Sequence, residues 1–144
     1  MVVIRDELAR LPLFAEVSGG TLDALLAQGH EARYAAGQVV ALEGDNWPEV
    51  GFVMRGLLRA RQTSLEGREY TLSYVGPGAC LNLAAALEGK PALASVDALN
   101  EAVVFCLAAD RLHRLMASDV GLARAIASQL AADVRRLSLM IKSL

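Results

Sequence analysis

The residues that come nearest to a ligand site lie between Gly76 and Val96, in the stretch GPGACLNLAAALEGKPALASV. The turn Gly76-Pro77-Gly78 leads into a short apolar segment, and Leu83 to Glu88 reads as a short helix. Gly89-Lys90-Pro91 ends that helix, and Ala92 to Val96 alternates as a strand does. A short helix framed by glycines can aim its first backbone N–H groups at an anion, which is the chemistry of a phosphate cradle. The side chains that a phosphate would pair with are missing from it; Lys90 sits in the turn and reads as a solvated residue.

Other reactive side chains are few. Cys80 and Cys106 form neither a secreted disulfide framework nor a zinc-ligand spacing, so no metal site is assigned. Cys106 falls in an apolar run and reads as an inert buried thiol. His30 falls near the end of a helix and His113 between Arg111 and Arg114, and capping or surface roles suit them. Arg55, Arg59 and Arg61 are odd-numbered along one extended segment and so share a face. Solvation of an outer face suits them better than a ligand carboxylate. There is no Ser-His-Asp arrangement, HExxH or P-loop, which argues against an enzyme.

The elements that must position the central stretch follow from its flanks. Arg5 to Arg10 can form a short helix, and Leu11-Pro12-Leu13-Phe14 is an apolar cluster. Ser18 can cap a helix carrying Leu22, Leu25 and Leu26 on one face, and Gly29 can end it. From Glu31 onward, short apolar pieces alternate with turn signals. Val39–Leu42, Val50–Met54, Leu57–Thr63 and Tyr70–Val75 read as strands, with Ala102–Leu107 as one more. This spacing predicts an antiparallel barrel or roll. Asp110 to Met116 reads as a short helix.

The last element is a helix from Val120 to Leu144, capped by Ser118 or Asp119 and roughly 37 Å long. Val120, Ala123, Ala127, Leu130, Val134, Leu137, Ile141 and Leu144 step by threes and fours along it, a sustained seam for a second helix. A second edge, Leu122, Ile126 and Met140, can face the barrel. The seam predicts a homodimer, with Ala127, Leu130, Val134, Leu137, Ile141 and Leu144 as its core.

Composition sets the outer bounds. A chain of 144 residues is about one domain, and 54% apolar residues suffice for a core. Fourteen basic residues against 16 acidic ones create no global field to recruit nucleic acid or anionic membrane. No apolar run reaches the ~20 residues of a membrane span and no signal peptide opens the chain, so a cytoplasmic location is expected.

Taken together, these motifs resemble the sensor domain of the cyclic-AMP receptor protein/fumarate-nitrate regulator (CRP/FNR) superfamily of bacterial transcription regulators. The resemblance rests on Leu11-Pro12-Leu13-Phe14, Gly37 followed by Glu43-Gly44-Asp45, Phe52-Val53-Met54-Arg55-Gly56, Glu66-Gly67-Arg68-Glu69 and Gly76-Pro77-Gly78, in that order. It implies a fold that is mainly β with flanking helices: a cyclic-nucleotide-binding jelly-roll barrel with N-terminal helices and a long C-terminal dimerisation helix. Residues 1–118 would form the sensing domain and residues 119–144 the dimer helix. DNA would be bound only through a helix-turn-helix domain beyond Leu144.

The family's phosphate cassette has the form PG-x-x-x-G-E, then about eight residues, then Arg-Ser/Thr-Ala. Pro77-Gly78 matches its start. The glycine position holds Asn82, the ribose-binding glutamate position Leu83 and the phosphate-binding arginine position Ala92; Leu93 stands at the hydroxyl position, and Ala94 matches. Two lost charge-assisted contacts, worth roughly 1.5–3 kcal/mol each, would weaken a cyclic nucleotide by on the order of 10²–10⁴. Cyclic AMP in the usual manner is therefore not expected. Cys80, Leu81, Asn82, Leu83, Ala84, Ala92, Leu93 and Ala94 are instead expected to line a largely apolar pocket for a small-molecule effector of unassigned identity.

Two alternatives stand beside this reading: a ligand-free dimerisation module with a filled pocket, and a haem-based gas sensor. The haem-ligating cysteine of the carbon-monoxide-sensing branch would fall at Asn82, which disfavours haem. The iron–sulfur cluster of the oxygen-sensing branch would need four cysteines, where two exist.

Overall fold

The apolar run near the end of the barrel segment decides the architecture. The computed structural model describes Val3 and residues 5–144. In it Ala102–Ala108 forms the last strand, β8, whose first six residues are all buried. Val104 and Cys106 point into one apolar cluster, Val103, Phe105 and Leu107 into another. A strand covered on both faces reads as a continuous apolar run, which is why no alternation marks this one.

The first cluster is the inside of a two-sheet barrel. One antiparallel sheet has the order β1-β8-β3-β6, where β1 is His30–Tyr34, β3 Glu49–Arg55 and β6 Cys80–Leu81. The other runs β2-β7-β4-β5, with β2 Val39–Ala41, β4 Leu58–Thr63, β5 Glu69–Val75 and β7 Ser95–Ala98. Val53 and Val104 of the first sheet meet Leu58, Ala60, Val96 and Ala98 of the second. This is the expected roll: eight antiparallel strands with helices at both ends.

The second cluster lies between the first sheet and a helical layer. That layer comprises α1 (Arg5–Ala9), a 3₁₀ turn (Pro12–Phe14), α2 (Gly19–Gln28), α4 (Ala109–Ser118) and the start of α5 (Val120–Lys142). Phe14 meets Phe52 edge to face, with ring centroids 5.1 Å apart. The remaining helix, α3 (Leu83–Glu88), ends at Gly89, whose φ of 67° is left-handed.

Two expectations are corrected and one strand was not foreseen. His30 lies just past the end of α2, as expected, but it also opens strand β1, whose charged alternation, HEARY, carries little apolar signal. The strand expected over Ala92–Val96 runs instead from Ser95 to Ala98, because Ala92 is engaged by the loop after β2. Arg55 ends β3 and pairs with Glu7, so it shares no strand with Arg59 and Arg61 of β4.

One carboxylate joins the two ends of the helical layer. Asp119 caps α5 by accepting from the Leu122 backbone N–H at 3.1 Å, and its other oxygen accepts from the Ser18 N–H at 3.2 Å. Ser18 in turn caps α2 by accepting from the Thr21 N–H. The first turn of α5 lies so close to the chain that a Cβ at Gly121 would collide with the Glu16 carbonyl. Hydrogen bonds from Thr21, Ser18 and Leu122 hold the Asp119 carboxyl at about 2, well below the usual carboxylate range.

A depressed carboxylate stabilises the fold above its ordinary pKa, and that contribution disappears as pH falls through the folded value. Asp119→Ala should therefore lower the melting temperature by roughly 2–4 °C at neutral pH. The difference from wild type should shrink as pH is taken from 5 towards 2. A thermal-melt series that shows a pH-independent difference would refute this role of the carboxylate.

Candidate functional site

The central stretch keeps the backbone of a cassette. After β6 the chain turns at Asn82, the one described non-glycine residue with positive φ, at 63°. Asparagine tolerates this left-handed conformation better than most residues, which explains how it stands at a glycine position. Its side-chain amide donates to the carbonyls of Trp47 (2.7 Å) and Glu49 (2.9 Å), which ties the start of α3 to the strand beside it. That NH₂ group is thereby committed to the protein.

Beside α3 lies a partly open cavity of about 250 Å³. This is below the ~300–1,000 Å³ usual for drug-sized ligands. Cys80, Leu81, Asn82, Leu83 and Ala84 form one wall, and Leu93 and Ala94 another. Ala60, Val75 and Val96 belong to the barrel strands beneath. The fourth side is α5, which contributes Leu130, Asp133, Val134, Arg136 and Leu137.

Seven of the eight expected pocket residues are thus brought together. Ala92 stands apart: it is buried, its N–H donates to the Asp45 carbonyl, and its own carbonyl accepts from Gly44. Leu93, 58% exposed, is the residue of this segment that presents a large side chain to the cavity. Trp47, Leu72 and Ser73 also line it and were not foreseen, because loop and strand residues so distant in sequence converge only once the barrel closes.

The electrostatics do not suit a phosphate. Leu83, at the ribose-binding position, is buried in the apolar cluster against the helices. The carboxylate of Asp133 borders the cavity, where it accepts from Gln129 at 3.1 Å. Arg136 is the cation at the rim; it donates to the Leu72 carbonyl at 3.2 Å and lies 4.0 Å from Asp133. Burial, reinforced by the negative charge of Asp133, pushes the Cys80 thiol up to about 12, so it is no nucleophile at neutral pH. Neither histidine lines the cavity, and His113 contacts the Leu87 carbonyl instead. The residues here therefore fit neither a cyclic nucleotide held by arginine and glutamate nor a haem held by an axial ligand.

Arg59 and Arg61 are taken up elsewhere. Both reach Asp97 across the sheet, at 3.1 and 2.8 Å, and both approach Glu69. Burial alone would raise the Asp97 carboxyl, but the Arg61 and Arg59 guanidiniums outweigh it and hold it below its ordinary value. The expected solvated face is a cross-strand ion-pair network with no free cation for a ligand.

Along α5 the seam divides. Leu122 and Ile126 are buried against the helical layer, and Leu130 and Leu137 are half-buried on the cavity side. Ala127 is exposed, and Val134, Ile141 and Leu144 are 65%, 66% and 97% exposed. No helix among the described residues is long and apolar enough to cross a membrane.

Comparison with known proteins agrees with this geometry. The sequence profile described as the cyclic nucleotide-binding domain matches residues 31–119. No curated protein gave a significant match. Among solved structures, the catabolite activator protein of Thermus thermophilus is similar at 25% identity and a TM-score of 0.80; the match covers 91% of this chain and 62% of that one. The N-terminal domain of a transcriptional regulator from Streptomyces coelicolor A3(2) is 28% identical, with a TM-score of 0.70 and coverage of 94% and 95%. The sensor domain of the transcriptional regulator DNR from Pseudomonas aeruginosa shares the fold, with a TM-score of 0.78 at 20% identity over 97% of this chain and 92% of that one. The chain spans less than two-thirds of the length of the activator and nearly all of the two isolated domains. The chain belongs to the cyclic nucleotide-binding domain family, and its structural neighbours are sensor domains of CRP/FNR-type transcription regulators.

Proposed function

We propose that this chain is the effector-sensing and dimerisation domain of a CRP/FNR-type transcription regulator, and that its effector is a small, largely apolar molecule rather than a cyclic nucleotide. The observation that carries this is the position of the cavity, walled on one side by the cassette stretch and on the other by α5. A ligand there touches Leu130, Val134 and Leu137 directly. It would shift the helix whose exposed edge joins two copies, and so re-aim DNA-binding domains attached beyond residue 144. The apolar lining sets the chemical class, while Asp133 and Arg136 at the rim offer one acceptor and one donor group to orient the molecule.

Two measurements test the two halves of this reading. For the pocket, indole serves as a neutral aromatic probe and cyclic AMP as the contrast, each followed by thermal shift. A ligand at 100 times its Kd stabilises by about 2.7 kcal/mol, which at this chain length raises the melting temperature by roughly 5–10 °C. Indole should raise it measurably, cyclic AMP should not, and Ala84→Phe, which fills the cavity, should abolish the indole effect. A shift with cyclic AMP alone would reverse the assignment, and silence toward both would support a filled pocket.

For the helix, sedimentation equilibrium should give twice the chain mass of 15.3 kDa. Ile141→Asp places a charge on an exposed apolar edge without touching the barrel, and it should yield monomer with an unchanged far-ultraviolet spectrum. A monomeric wild type would end the dimer reading.

A further inference from the structure

Three ligand-type side chains that are remote in sequence meet on the first sheet. Strands β1, β8 and β3 lie side by side, and His30 on β1 is directly opposite Cys106 on β8. Glu49 on β3 is opposite Ala108, two residues along from Cys106, so all three side chains leave the same face of the sheet. The His30 ring nitrogen Nδ1 is 3.6 Å from Glu49 Oε2, and one donor atom from each of the three residues lies within 4.8 Å of the others.

We propose that His30, Glu49 and Cys106 form a binding site for a borderline-soft divalent cation of the zinc class. The donor set, one imidazole nitrogen, one carboxylate oxygen and one sulfur, is the set zinc takes, and it is too soft for magnesium or calcium. The spacing agrees. Two ligand atoms each about 2.1 Å from a tetrahedral zinc stand about 3.4 Å apart. The His30–Glu49 separation already matches this, and the sulfur lies within 4.8 Å of both other donor atoms, a gap that a turn of the exposed His30 ring helps to close. The Cys106 Sγ is otherwise engaged only by a 4.0 Å contact to the Val104 carbonyl. Burial and the Glu49 carboxylate push the metal-free Cys106 thiol up to about 12, so the cation must displace its proton: on binding the proton leaves to solvent and the sulfur–metal bond takes its place. Solvent reaches the site past His30, so water would complete the fourth position.

The site is independent of the effector cavity, since none of its three residues lines it. It does reach the cassette through one link: the Glu49 carbonyl accepts from the Asn82 amide that fixes the start of α3.

The test uses the full chain, stripped with a chelator and titrated with zinc against a chromophoric competitor, then with cobalt(II) by absorbance. One equivalent should bind, and cobalt should give a thiolate-to-metal charge-transfer band in the near ultraviolet. Cys106→Ser should remove that band. His30→Gln and Glu49→Gln, at the exposed and half-exposed positions, should each weaken zinc by about tenfold or more, whereas His113→Gln should not. Far-ultraviolet spectra of the metal-free variants confirm that each is folded. Absence of zinc binding, persistence of the band in Cys106→Ser, or affinities for His30→Gln and Glu49→Gln equal to wild type would each overturn the proposal.

Discussion

Phe105 and Leu107 on one face of β8, and Val104 and Cys106 on the other, all lie out of water, so this strand must be covered twice. Each such side chain contributes about 1.5–3 kcal/mol when fully buried. Its inner face brings the second sheet down upon it and makes the barrel; its outer face brings in α1, α2, α4 and the start of α5. The rest of the structure depends on that double demand. The helix that carries the seam is anchored through Leu122 and Ile126, which pack into the outer cluster, while the cassette joins both, Leu81 in the inner cluster and Leu83 and Ala86 in the outer one. The cavity lies between the cassette and that helix, whose Leu130, Val134 and Leu137 form one of its walls.

The cassette shows how a fold can keep a site's backbone and discard its chemistry. A left-handed turn is needed before α3, and Asn82 supplies it at φ 63° while its amide locks onto Trp47 and Glu49. Position 83, by contrast, is buried at the edge of the cavity, where a leucine packs into the outer cluster and a carboxylate would need hydrogen-bond partners of its own. Leu93 at the mouth covers apolar surface, and Asp133 opposite it would repel a phosphate. Under the proposed function, the charges at the rim, Asp133 and Arg136, serve to orient a ligand and not to hold a phosphate.

Much of the fold was legible in the sequence because apolar period and turn chemistry pointed the same way. Ser18 and Asp119 are caps as expected, Gly29 and Gly89 end their helices, and β3, β4, β5 and β8 lie within a residue of the strands read from Val, Leu and Tyr runs. Strand β1 was hidden because only Ala32 and Tyr34 face the inner cluster among its charged residues, too short a signal to read, although β8 supplies its pairing. The candidate pocket was legible along the contiguous stretch from Cys80 to Ala84, where local order sets position. It was illegible at Trp47, Leu72 and Asp133, which join it only through sheet closure and helix packing. Ala92 was misplaced because its backbone is tied to Gly44 and Asp45 in the loop after β2, a pairing distant in sequence that no local pattern announces. The grouping of His30, Glu49 and Cys106 was likewise beyond any spacing rule, since it depends on strand order.

On α5 the heptad splits into two lines that do different work. Ala127, Val134 and Ile141 form the exposed line; Leu130 and Leu137, three residues on from Ala127 and Val134, lie about 60° around the helix and turn toward the cavity. A coiled-coil seam needs both lines at once. In a single protomer, then, half of the seam faces the ligand cavity and half faces outward. Under the proposed function, an occupant of the cavity competes with a second helix for Leu130 and Leu137. A rotation of α5 by a few tens of degrees suffices to transfer them from one to the other. The Asp119 clasp and the contact of Gly121 with Glu16 fix the first turn of the helix, so such a rotation would grow toward its far end. The far end is where an attached domain would feel it most. A filled and rigid pocket would leave Leu130 and Leu137 without this choice, and this coupling is the physical difference between a sensor and a simple dimerisation module.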